Sequence, residues 1–183
     1  NKNDCVVTTY RGHGHMIARG LDPKKIMAEL TGRSTGYSKG KGGSMHMFSK
    51  ENNFYGGHGI VGAQVPIGTG IAFTHKYLND GYICRTYIGD GAMNNGQVFE
   101  SFNMASIWKL PVLYIIENNQ YGMGTHVKRS SAAADILYKF ADLYGMPATR
   151  IDGMDVLTVQ DSAKEAINKM RTNGGPVMKE AMT

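Results

Sequence analysis

Cysteine is scarce: Cys5 and Cys84 are the only two in 183 residues. Two thiols so far apart build no disulfide framework and no metal-ligand spacing, and a reducing compartment suits them best. Cys84 lies in an apolar run and reads as a small core residue. Long hydrophobic runs are missing too. The longest uncharged apolar one, 112–116, is far too short to cross a bilayer, so no membrane association is expected. No charged-then-apolar leader opens the chain, and it begins Asn-Lys-Asn-Asp without a Met. The expectation is a piece of a longer chain, from which targeting is not read. No internal repeat is evident.

Hydrophobic residues make up 42% of the chain, enough for a core and against global disorder. At this length a single domain over 1–183 is expected. The net charge is +5, with Arg11, Arg19, Lys24, Lys25, Arg33, Lys39, Lys41 and Lys50 all in the first 50 residues. Neither aromatic interleaving nor a basic helix accompanies this charge, so nucleic acid is not the expected partner. A phosphorylated cofactor or an acidic partner uses it better. His13 and His15 stand two apart on a Gly-rich segment with no thiolate or carboxylate to complete a zinc site.

Apolar patterning alternates strands with helices. Cys5-Val6-Val7 begins the chain's apolar runs. Asp22-Pro23 opens a helix whose stripe is Ile26, Met27 and Leu30, with Gly32 to close it. From Thr35 to Gly59 the chain is rich in Gly and Ser, which predicts a long functional loop, open around 39–53 in isolation. A helix follows over 65–78, with Gly68, Gly70 and Ala72 suggesting close backbone packing. Then come a strand (82–88), a helix (97–109) carrying Val98, Phe102, Ala105 and Trp108, and an uninterrupted buried-type strand (112–116). Residues 134–144 look helical, 149–151 and 176–178 look like strands, and between them a strand-turn at 155–156 precedes a helix over 162–170. This order predicts an α/β fold, a parallel sheet flanked by helices.

The unit from 82 to 119 carries the chemistry. Strands joined through a crossover helix run parallel, so their C-terminal ends share one sheet edge, where open α/β sheets bind ligands. Asp90 follows the first strand and Asn119 the second. A carboxylate and an amide oxygen together suit magnesium, a hard cation that keeps positions for phosphate oxygens. Gly89 and Gly91 let backbone approach a diphosphate, and the helix after them has free amides for it.

Gly89-Asp90-Gly91 followed by Asn118-Asn119 resembles the thiamine-diphosphate signature. Its surroundings resemble the α-subunit of the decarboxylating component of pyruvate dehydrogenase, in Tyr10-Arg11-Gly-His13-Gly, Lys39-Gly-Lys-Gly-Gly-Ser-Met-His46-Met, Gly59-Ile-Val-Gly-Ala-Gln-Val-Pro66 and Tyr121-Gly-Met-Gly124. The likeness spans nearly the whole chain. It implies a thiamine-diphosphate-binding fold, cut short at both ends relative to the family. By the same resemblance, magnesium would be held by Asp90, Asn119 and the Tyr121 carbonyl. Tyr10 and Arg11 would hold the diphosphate end, with Gly91 and Ala92 along it. Gly59 and Val61 would line the aminopyrimidine, Val61 as an apolar wedge.

The resemblance further implies oxidative decarboxylation of pyruvate, with the acyl group passed to a lipoyl acyltransferase partner. A β-subunit would complete an α2β2 tetramer and supply the activating glutamate, and a catalytic histidine would lie outside this stretch. His58 stands where relatives often carry Asn, and Asn95 where they often carry Gln. His126 replaces the regulatory phosphoserine of animal relatives, pointing to a bacterial-type, cytoplasmic enzyme; a eukaryotic one would sit in the mitochondrial matrix. Acetoin dehydrogenase and branched-chain 2-oxo acid dehydrogenase α-subunits are the alternatives within the class. A basic Gly-rich binding module is the alternative outside it.

Overall fold

The computed structural model describes residues 1–183. Six parallel strands form one sheet: β1 (Cys5–Thr9), β2 (Phe54–His58), β3 (Cys84–Gly89), β4 (Val112–Asn118), β7 (Ala148–Asp152) and β8 (Val177–Met182), in the order β2-β1-β3-β4-β8-β7. Every pairing in that sheet is parallel. A two-stranded hairpin, β5 (Tyr121–Gly122) with β6 (Thr125–His126), stands apart from it. The helices are α1 (His13–Ala18), α2 (Pro23–Leu30), α3 (Gln64–Leu78), α4 (Gly96–Ile107) and α5 (Val156–Asn173). The α/β class expected from the sequence is the class observed. No helix is long and apolar enough to cross a membrane.

The main core joins α3 and α4 to the sheet face through Val65, Ala72, Ile88, Val98, Phe102, Val112, Tyr114 and Ile116. Alternation along β3 puts Cys84, Thr86 and Ile88 inward, whereas β4 is buried almost throughout, as expected of a central parallel strand. Burial pushes the Cys84 thiol up to about 12 and that of Cys5 to about 11, so both are inert at neutral pH. Tyr114 is fully buried, its hydroxyl 2.7 Å from Thr69 Oγ1 on α3. Tyr114→Phe is therefore expected to lower unfolding free energy by about 1 kcal/mol, the scale of one buried neutral hydrogen bond. Thr69 keeps its bond to the Val65 carbonyl, which limits the loss. An unchanged urea midpoint would mean that the hydroxyl adds nothing.

Several expectations need correction. The stretch 35–59 is not all loop, because β2 occupies its end and forms the sheet edge beside β1, with Ser49 bridged to Phe54. Two glycines in Phe-Tyr-Gly-Gly-His hide that strand. On α2, Ile26 is buried but Met27 and Leu30 are 60% and 42% exposed, and the second buried residue is Glu29. Residues 134–144 give only a 3-10 helix at Leu137–Tyr144. Ile136 offers it no side-chain cap, and the Tyr138 amide donates to the Glu180 carboxylate instead. No strand-turn occupies 155–156. Asp155 accepts the Leu157 amide and starts α5 there, well before residue 162.

Candidate functional site

β3 and β4 pair from Cys84↔Val112 to Gly89↔Glu117, so both strands end on one edge. The strand order reverses direction at β1/β3: β2 lies on one side of β1, β3 on the other. Ligands of open α/β sheets bind beyond such a switch point. A cavity of about 460 Å³ lies there. It takes Tyr10 and Arg11 from the end of β1, Gly59 and Val61 beyond β2, Asp90, Gly91 and Ala92 beyond β3, and Tyr121 from the hairpin. Eight of the nine residues carried over from the resemblance thus line one space.

Asn119 is the ninth, and it is not in the lining. It stands one residue past β4, and its Oδ1 accepts the Tyr121 amide at 3.0 Å. Its neighbour Asn118 is buried, donating to Glu180 Oε1 at 2.7 Å and accepting from the Gln120 amide at 3.0 Å. The two asparagines thus shape the turn that carries Tyr121. An amide oxygen has a second lone pair, so the bond to Tyr121 leaves Asn119 Oδ1 one acceptor position.

Asp90 is 2% exposed, and its Oδ2 is buried without any hydrogen-bond partner. Burial pushes its carboxyl above the usual aspartate range, against the pull of backbone amides and the Arg11 guanidinium. Gln64 Oε1 is a second buried, unpartnered oxygen in the same lining, while its Nε2 donates to the Tyr87 carbonyl. Buried acceptors without partners are uncommon and costly. Here they sit where a cation and polar ligand atoms would satisfy them.

Arg11 is exposed, with its guanidinium 5.6 Å from the Tyr10 ring centroid. Val61 is 53% exposed, and the Asn95 side chain holds its carbonyl at 3.2 Å. The same Asn95 accepts the Gln97 amide and so caps α4 itself. The element that directly follows Gly89 is accordingly not a long helix with free amides but the short 3-10 turn Asp90–Asn94.

Gly89, expected from the sequence to let backbone approach a diphosphate, is in the lining too, and Thr9, Met45, His58, Gln64, Glu117, Gly122 and Met123, assigned no site role from the sequence, complete it. Glu117 had a signal: it is in register with Gly89 at the strand ends. Its Oε1 lies 3.1 Å from His15 Nε2, and the His15 ring packs on Tyr87 at 4.1 Å. Burial holds the His58 imidazole below the usual histidine range, with its Nε2 2.9 Å from the Tyr55 carbonyl.

A cavity at the switch point of a parallel sheet, with Arg11 and glycine backbone beside two carboxylates, has the position and the donors that suit a phosphate-bearing ligand held through a cation. The family model described as dehydrogenase E1 component matches residues 1–183, and this chain belongs to that family. The chain is 56% identical over 182 residues to the pyruvate dehydrogenase E1 component subunit alpha of Rhizobium meliloti, covering all of this chain and 52% of that protein. To its namesake from Zymomonas mobilis it is 55% identical over 180 residues, covering 98% of this chain and 51% of that one. The mitochondrial testis-specific form of Rattus norvegicus is 52% identical over 183 residues, all of this chain and 46% of that protein. The chain spans about half the length of the curated relatives it matches. A solved structure described as a thiamin diphosphate-dependent enzyme from Mycobacterium smegmatis aligns with a TM-score of 0.63 at 16% identity, over all of this chain and 29% of that one. That likeness is one of fold.

Proposed function

We propose that the cavity binds thiamine diphosphate through magnesium, and that the chain is the cofactor-holding part of a pyruvate dehydrogenase α-subunit. The observation that carries this reading is Asp90: a buried carboxylate oxygen with no protein partner, at the switch point, directly after β3. Magnesium takes hard oxygen donors and leaves positions for phosphate oxygens. Asp90 Oδ2, Asn119 Oδ1 and the Tyr121 carbonyl form a donor set of that kind, and the residues fit the group. The names of the relatives, pyruvate dehydrogenase E1 component subunit alpha, supply the substrate.

When bound, thiamine diphosphate supplies the electron sink for breaking the bond to a 2-oxo acid's carboxylate. This chain's residues bind and orient. Arg11 and Tyr10 meet the diphosphate, Gly91 and Ala92 give it close backbone, and Val61 with Met45 shields an apolar side. The Glu117–His15 pair puts a second carboxylate at the rim. A partner chain, the β-subunit, completes the site with the activating glutamate, and the acyl group passes to a lipoyl acyltransferase.

Calorimetry on the full-length α-chain assembled with its β-subunit tests this. Thiamine diphosphate should bind only with magnesium present. Arg11→Ala should weaken it by about 2 kcal/mol, roughly thirtyfold, the scale of a lost charge-assisted contact. Binding that ignores magnesium would sink the metal assignment, and an unchanged Arg11→Ala affinity would take Arg11 off the diphosphate.

A further inference from the structure

The Lys39-Gly-Lys-Gly-Gly motif looks like a phosphate loop, but its backbone donors already hold an anion. Glu29 of α2 is 1% exposed, and its carboxylate accepts four backbone amides from that loop. Ser38 and Gly40 donate to Oε2 at 2.8 and 2.9 Å, Gly42 and Gly43 to Oε1 at 2.7 and 3.2 Å. Successive amides turned to one point form an anion-binding nest, and here the anion is the chain's own. Lys39 and Gly40 take the left-handed backbone that this wrapping needs, with φ of 57° and 75°. Burial raises the carboxyl's pKa, yet the four amides more than reverse that, so Glu29 titrates below the usual glutamate range.

The wrapped loop leads into the cavity wall. Ser38 Oγ donates to the His46 carbonyl at 2.5 Å, which ties the nest to the residue after Met45. Met45 lines the cavity. A Cβ added to Gly42 would overlap the His46 carbonyl oxygen, and one on Gly59 would come within 3.0 Å of the His46 ring. So Gly42 and Gly59 serve close packing about His46, and Gly36 does the same against Glu29, which a Cβ there would overlap. The wall is fixed from behind by one buried carboxylate.

We infer that Glu29 is a positioning residue for the cavity: it touches no ligand, but it sets the 36–47 segment so that Met45 forms part of one side of the site and the His46 ring backs Gly59. The cavity's occupant rests on the reading proposed above; the anchoring of the segment does not.

The test uses the full-length α-chain assembled with its β-subunit, by hydrogen exchange and by calorimetry with thiamine diphosphate and magnesium. Glu29→Gln turns an acceptor oxygen into a donor that faces two of the loop amides. Exchange across 36–47 should quicken about tenfold or more, and the cofactor's Kd should rise at least about fivefold. Peptides covering β3 and β4 should keep their protection, which a general loss of stability would not allow. Gly42→Ala, with the carboxylate intact, should produce the same pair of changes by displacing the His46 carbonyl. Wild-type protection of 36–47 in Glu29→Gln would overturn the inference. So would an opened segment that leaves cofactor affinity unchanged. Failure of the wild-type protein to take up thiamine diphosphate would remove the cofactor reading alone, and the exchange result would still decide Glu29.

Discussion

Asp90→Asn is expected to abolish magnesium-dependent uptake of thiamine diphosphate while making the cofactor-free protein more stable by about 1 kcal/mol. The two effects share one cause. Asp90 keeps a carboxylate oxygen buried without a partner, and burial raises its pKa. A charge held this way costs folding energy that only a cation recovers. Asparagine removes the charge, and the neutral amide left in its place denies magnesium the only anionic oxygen in the proposed donor set. Thermal melts with and without the cofactor pair should cross: the variant melts higher than the wild type alone and lower than it when both are added. An unchanged cofactor affinity would take Asp90 out of the site. A lower melting point for the cofactor-free variant would mean that the carboxylate has a stabilising partner within the protein.

The second large effect concerns how closely α3 approaches the sheet. A Cβ on Gly68 would overlap Thr86 Oγ1, and Thr86 is fully buried in β3. Gly70 sits on the same helix with nothing near its Cβ position. Gly68→Ala should therefore cost about 1–3 kcal/mol, the usual penalty for overpacking a tight core. Gly70→Ala should be neutral or stabilise by up to about 1 kcal/mol, as removing an open helical glycine does. Denaturant midpoints of the two variants would decide it. Equal effects would show that α3 is not pinned to β3 at Gly68.

That contrast marks where the sequence was legible. Small residues on one side of 65–78 announced a close approach, but not which of the two glycines makes it; only the strand opposite tells them apart. β4 was readable as a continuous apolar run after Pro111, β3 as a short strand ended by Gly89, and α4 from the apolar face it carries before Pro111. Phe54–His58 was hidden because an edge strand with two glycines has the composition of a loop. α5 starts six residues before the expected point and ends three after it: Asp155 caps it, and the turn that follows buries no residue and carries no core signal.

At the site, the residues beyond β1 and β3 came from motifs and gather as expected around one cavity. Asn119 does not join the lining, because the amide two residues on takes its side chain into the turn. Met45 lay inside a quoted motif without a role, and Glu117 was signalled only by its place at the end of β4; the fold brings both to the cavity. Glu29 was the least visible. A glutamate on a short helix reads as a solvated face, and only the folded loop shows its carboxylate buried under four amides.

The most direct test of the central claim is carbon dioxide release from pyruvate by the full-length α-chain combined with its β-subunit, thiamine diphosphate and magnesium. Acetoin, 2-oxobutyrate and 3-methyl-2-oxobutanoate serve as competing substrates. The account predicts turnover of pyruvate in preference to all three, and none when the β-subunit or magnesium is left out. Preference for acetoin or for the branched 2-oxo acid, or turnover by the α-chain alone, would contradict it.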